Sequence, residues 1–222
     1  MNTSSADDFS LTKHRLEALA DGIFAVAMTL LVIELKIPET LHVHTEQELL
    51  QAVANLLPKF IAWIISFVVL AIFWVSHHRL FHFVRHVDAK LSWLTIGYLA
   101  GVSLMPFSSA LAGEYGGALT SQVIYSLNMI LLGTMALLKS RYVHRHPELC
   151  GLAMPLGMYK GARIRTCGLI AVAIAAILIT WALPGKGVIG NTAFMLMFVF
   201  GKIGRRVEAR EAAVRQATIQ SV

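Results

Sequence analysis

The sequence predicts an all-α integral membrane protein with six transmembrane helices and both termini in the cytoplasm. Three observations predict it. Of the 222 residues, 56% are hydrophobic and only 14% charged, whereas soluble domains carry about 25% charge. The apolar residues gather into runs long enough to cross a bilayer core, which takes roughly 17–25 helical residues. Lys and Arg collect in alternate loops, as they do when one set of loops stays in the cytoplasm.

The first span is placed at Lys13–Ile37. Within it, Asp21 and Glu34 bracket twelve uncharged residues, Gly22 to Ile33. That inner run covers only about 18 Å at ~1.5 Å per residue, but the longer segment reaches about 37 Å and crosses. The leader sets Asp7 and Asp8 against Lys13 and Arg15, and no small-x-small site follows the run. A retained helix fits better than a cleaved signal. The second span, Ala54–Phe83, contains the uncharged FIAWIISFVVLAIFWVS. The third, Leu91–Ala112, includes Pro106, which membrane helices tolerate when neighbours satisfy the freed carbonyl. The fourth is Leu119–Leu138. The fifth, Ile164–Leu183, holds GLIAVAIAAILITWAL and stops at Pro184-Gly185, a helix-ending pair. The sixth is Val188–Gly204.

With these spans, sixteen of the nineteen Lys and Arg fall on one side, among them Lys13, Arg15, Arg79, Lys139, Arg165 and Arg205. Only Lys36, Lys59 and Lys186 fall on the other. The +6 net charge therefore reads as a topology signal and not as a nucleic-acid footprint. The chain divides into a cytoplasmic N-terminal segment (1–12), a six-helix transmembrane domain (13–206) and a basic cytoplasmic tail (207–222) that can touch anionic membrane lipid. The expected location is the cell (inner) membrane, multi-pass. The longest loop, about Lys139 to Arg163, is too small for a catalytic domain. Cys150 and Cys167 lack CxxC spacing and read as small apolar residues.

The first span breaks the membrane rule at Asp21, two turns inside its cytoplasmic end. Ionisable groups at such depth face a partner or a water-filled path. Beyond it, Val26, Leu30 and Ile33 are spaced i, i+4, i+7 and share a stripe, with Thr29 beside it. Periodicity alone leaves that stripe open between packing inside a bundle and something more specific. Gly22, Ala25 and Ala27 are small and admit close helix approach. At the end of the second span stand His77, His78, His82 and His86, the last three along one expected face. Two such His can hold a metal, but no acidic or Cys partner joins them and Arg79 and Arg85 flank them. No metal and no cofactor is expected.

These residues resemble a known family. RxxxLADGxxAxAxTLLxxEL, starting at Arg15, is similar to the first helix of the transmembrane protein 175 family of potassium channels, whose signature there is Arg-x-x-x-Phe-Ser-Asp. Arg15 and Asp21 are in register; Leu19 and Ala20 stand where the family shows Phe and Ser. WVSHHRLF at Trp74–Phe81 and LMPFSSAL at Leu104–Leu111 also look like the bacterial members. The resemblance implies a homotetramer with the first helix lining a central pore, constricted by apolar side-chain rings. By spacing from Asp21, it places those rings at Val26, Leu30 and Ile33, with Thr29 as a polar ring. It implies a polar network of Arg15 and Asp21 reaching the second helix, where His77 is the expected partner. Glu34 and Glu39 would stand at the outer mouth.

The function expected is a passive cation channel that prefers potassium. The alternative is a proton-coupled secondary transporter using Asp21 and the histidines; against it, no inverted repeat and no matched pair of broken helices is visible. An enzyme is not expected, since neither a nucleophile elbow nor HExxH is present.

Overall fold

A computed structural model describes residues 12–36, 44–183 and 196–220. Among them the chain forms eight α-helices, one 3₁₀ turn and a single β-bridge between Val84 and Cys150. Five stretches are long and apolar enough to cross a membrane: Lys13–Ile33, Leu57–Phe81, Ala89–Glu114, Leu119–Arg145 and Leu156–Ala182.

Helix α1, Lys13–Ile33, ends on Glu34, so it stops short of the expected Ile37. Ile37, Glu39 and His42 lie outside the described residues. At 21 residues it still reaches about 32 Å. A short helix that periodicity did not predict follows: α2, Glu46–Asn55. Its signal is a capping box, in which Thr45 accepts from the Glu48 amide while Glu48 accepts from the Thr45 amide. The Glu48 carboxylate also takes the His44 N–H at 2.8 Å. These backbone donors hold its pKa below the usual carboxylate range.

Helix α3, Leu57–Phe81, restarts after Leu56 with Pro58 in its first turn, where a missing N–H costs nothing. The third expected span is two pieces, α4 (Ala89–Ser103) and α5 (Met105–Glu114), because Pro106 removes a backbone donor at the join. Asp88 caps α4 through the Leu91 N–H at 2.8 Å and receives the Tyr142 hydroxyl. Helix α6, Leu119–Arg145, carries Lys139 inside it. Lys139 was assigned to a basic loop; it is 2% exposed, so the loop after α6 is shorter and less basic than expected.

Helix α7, Leu156–Ala182, and α8, Met197–Gln220, pack through glycines. A Cβ on Gly161 would sit 2.8 Å from the Gly204 carbonyl, and one on Gly168 would overlap the Phe200 ring. GMYKG at Gly157–Gly161 is a GxxxG pattern, which permits such backbone approach. The expected sixth span, Val188–Gly204, falls partly on residues 188–195, outside those described, as do Pro184-Gly185 and Lys186. Its described part belongs to α8, which continues helically past 206.

The main core joins Phe24 of α1, Leu70 of α3, Tyr98 of α4, Met129 of α6 and Val172 of α7. A second cluster at the other end joins Leu16, Leu80, Phe81, Leu91 and Val143. There the connection after α3 pairs with the one after α6: Arg85 N–H donates to Leu149 O at 2.7 Å and Gly151 N–H to Phe83 O at 3.0 Å. Several polar groups in the core pair across helices, as a dry interior favours. Ser66 bonds Ser109 at 2.8 Å, and Asn128 donates to Ser108 at 3.1 Å. Cys150 is half-buried, whereas Cys167 is exposed on α7 and is not core filler.

Candidate functional site

The site is one face of α1. Leu16, Ala20, Phe24, Ala27 and Leu31 form the buried row that fastens α1 to α3, α4 and α5. At about 100° per residue, the direction opposite that row is Thr29. Ile33 lies about 40° from this outward pole and Val26 about 60°, and they are 48% and 57% exposed. Gly22 lies on the same face, and a Cβ there would meet nothing within 4 Å. Leu30 is about 100° from the pole and nearer the buried row than to Thr29. The stripe read from spacing is therefore rotated: Thr29 is at its centre and Leu30 at its edge.

Thr29 has a specific posture. Its hydroxyl hydrogen is shared between the carbonyls of Ala25 at 3.0 Å and Val26 at 2.9 Å. With its donor turned inward, the oxygen presents lone pairs outward. A β-branched Thr holding its Oγ1 on the preceding turn is stiff at χ1, so this acceptor is preset.

Asp21 stands to one side of this face. Its carboxylate accepts the Trp74 indole N–H at 2.9 Å, and His78 Nδ1 lies 3.8 Å away. His77, the expected partner, does not take part. One step along α3 turns a side chain by about 100°, so His77 points into the core when Trp74 and His78 face Asp21. His77 is 3% exposed, stacks on Tyr98, and its Nδ1 is 3.0 Å from Lys139 Nζ. Lys139 Nζ lies 3.4 Å over the Tyr98 ring. Arg15 is exposed at the inner end of α1, close in angle to Ile33, and has no ion pair among the described residues. Ala20 packs in the buried row, so no hydroxyl supports Asp21 from that position.

Glu34 points elsewhere. It caps α1 and lines a cavity of about 20 Å³ with Leu31, Lys59, Trp63 and Glu114, and Lys59 is ion-paired to Glu114. It faces α3 and α5 of the same chain and not the Thr29 face. His86 lies beyond the end of α3, which breaks the expected three-histidine row after His82. No group of three metal-ligating side chains occurs among the described residues. Sequence reasoning missed Trp74 and His78 as the partners of Asp21. Their signal was their spacing, i, i+4 on α3.

Residues 15–106 match the family model described as endosomal/lysosomal potassium channel TMEM175. A protein of Chryseobacterium sp. named a potassium channel is 35% identical over 121 residues, 54% of this chain and 59% of that protein. One of Chamaesiphon minutus, also named a potassium channel, is 39% identical over 101 residues, 46% of this chain and 49% of that protein. The chain thus spans about half the length of these relatives. Among solved structures, a lysosomal potassium-selective channel TMEM175 homolog from Chamaesiphon minutus aligns with a TM-score of 0.69 at 22% identity, over 86% of this chain and 97% of that one. That likeness is one of fold.

Proposed function

We propose that the chain is a member of the TMEM175 family, whose model matches residues 15–106, and that it is a potassium-preferring cation channel of the cell (inner) membrane, with six spans per chain, both termini cytoplasmic, and four copies around a central path lined by α1. Support for this reading comes from the outward face of α1, where an apolar row is interrupted by a hydroxyl whose hydrogen is engaged by the Ala25 and Val26 carbonyls.

The physics follows from that face. Val26 and Ile33 are seven residues apart, about 10 Å along the axis, so copies of each form two apolar rings around a symmetric path. Narrow apolar rings resist water and gate by dewetting. An ion crossing them is partly stripped of its hydration shell. Potassium gives up water more readily than sodium, so the rings favour it. Between them, the outward lone pairs of four Thr29 hydroxyls replace part of the lost hydration without presenting a positive hydrogen to the cation. Asp21, held by Trp74 and His78, fixes α1 against α3 at the inner end.

The test is potassium flux into liposomes holding the purified protein. Thr29→Val keeps shape and removes the acceptor. It should lower the potassium-over-sodium preference by about tenfold, the change that a net loss of roughly 1.4 kcal/mol makes in an equilibrium. Ile33→Asn should raise flux of both ions by wetting the ring, and Leu30→Asn should do less. Unchanged conductance and selectivity in all three would remove the α1 face from the path.

A further inference from the structure

A cavity of about 490 Å³ lies at the same end of the bundle as Asp21, between α3 and the α6–α7–α8 pack. Its volume is that of a small-ligand site. Its two ends differ in chemistry. One is lined by Phe67, Ala71 and Val75 of α3 and Leu169 of α7. Phe67 and Val75 are also exposed, so this end opens on the apolar outer surface. The other end is lined by Arg79, Arg165 and Arg205. Arg79 and Arg165 share one carboxylate: Glu208 Oε2 is 3.2 Å from Arg79 and Oε1 is 2.7 Å from Arg165. Arg205 has no ion pair among the described residues. Positive charge is in excess.

A second observation points to an occupant. His77 and Ser140 line the cavity and are more than nine-tenths buried, yet His77 Nε2 and Ser140 Oγ have no hydrogen-bond partner among the described residues. Buried polar atoms are almost always paired, and such an atom left unpaired costs stability.

We propose that this cavity binds one anionic membrane phospholipid, its acyl chain between Phe67 and Leu169 and its phosphate on Arg165 and Arg205. Guanidinium forks match phosphate oxygens two at a time, and apolar walls that open toward the bilayer suit a chain entering from it. Charge complementarity selects the anionic headgroup, and the elongated apolar end selects a lipid over a free anion. This site is separate from the α1 face, and its test reads binding and not conduction, so the two readings stand or fall independently.

The test uses the full purified chain in detergent, with lipid retention read by native mass spectrometry and thermal stability read in parallel. Phosphatidylglycerol should bind at least tenfold more tightly than phosphatidylcholine and raise Tm, while inorganic phosphate at the same concentration should not. Arg165→Gln with Arg205→Gln should erase the preference. Glu208→Gln, which frees two guanidiniums, should strengthen it. Ala71→Trp, which fills the apolar end, should block lipid while the chain stays folded. Equal binding of the two lipids, an equal effect of inorganic phosphate, or binding that survives Ala71→Trp would each overturn the proposal. So would a second copy of the chain found in the cavity by cross-linking.

Discussion

Tyr98 shows how one residue carries several loads. Its ring lies between Phe24, Phe73 and His77 and under Lys139 Nζ, while its hydroxyl donates to the Phe73 carbonyl at 2.9 Å. Tyr98→Phe removes only the hydroxyl and leaves that carbonyl one partner short. A loss of about 1 kcal/mol is expected, read as a lower Tm in detergent with potassium flux intact. A change of flux without a change of Tm would mean that Tyr98 serves the path directly. None of this was legible at Lys139, which the charge pattern placed in a loop. Lys counts as a topology signal only when it reaches water, and a long flexible stem can also fold its amine onto an aromatic face inside the bundle.

At the scale of the element, α1 and the α7–α8 pair make opposite use of small residues. Gly161 and Gly204 bring two backbones into contact, whereas Gly22 faces open space. Gly161→Ala should cost about 1–3 kcal/mol by overpacking, and Gly22→Ala should be neutral or raise stability by up to about 1 kcal/mol through helix propensity. Thermal unfolding of the two variants side by side checks both; equal losses would contradict the α7–α8 packing. The i, i+4, i+7 spacing found the right helix in α1 but not its outward pole. Spacing gives relative angles only, and the row that packs inward sets the zero. Likewise the break at Pro106 was visible as a proline, yet whether it ends a helix depends on what neighbours supply.

For the whole molecule, the consequence of α1 is stoichiometric. A single outward face cannot enclose a path, so the proposed conduction requires several copies of the chain. Native mass spectrometry in mild detergent should find four copies, and a strictly monomeric protein that still conducts would sink the α1 model. With Thr29→Cys, a membrane-impermeant thiol reagent should cut flux several-fold, while the same reagent at Trp181→Cys, an exposed outer-surface position of α7, should not. Native Cys167 is also exposed, so both variants carry Cys167→Ala.

The sequence by itself determined that this is an apolar multi-helix chain, where five candidate spans run, and that the first of them is its unusual helix. Run length, charge placement and a motif are one-dimensional properties, and the bilayer reads them directly. Only the tertiary structure decided that Asp21 meets Trp74 and His78, that His77 and Lys139 turn inward, that Glu34 faces α3 and α5, and that Thr29 stands at the outward pole. Each of these depends on how a helix is rotated about its axis. That rotation is set by which side chains on neighbouring helices pack together, and no single helix contains it.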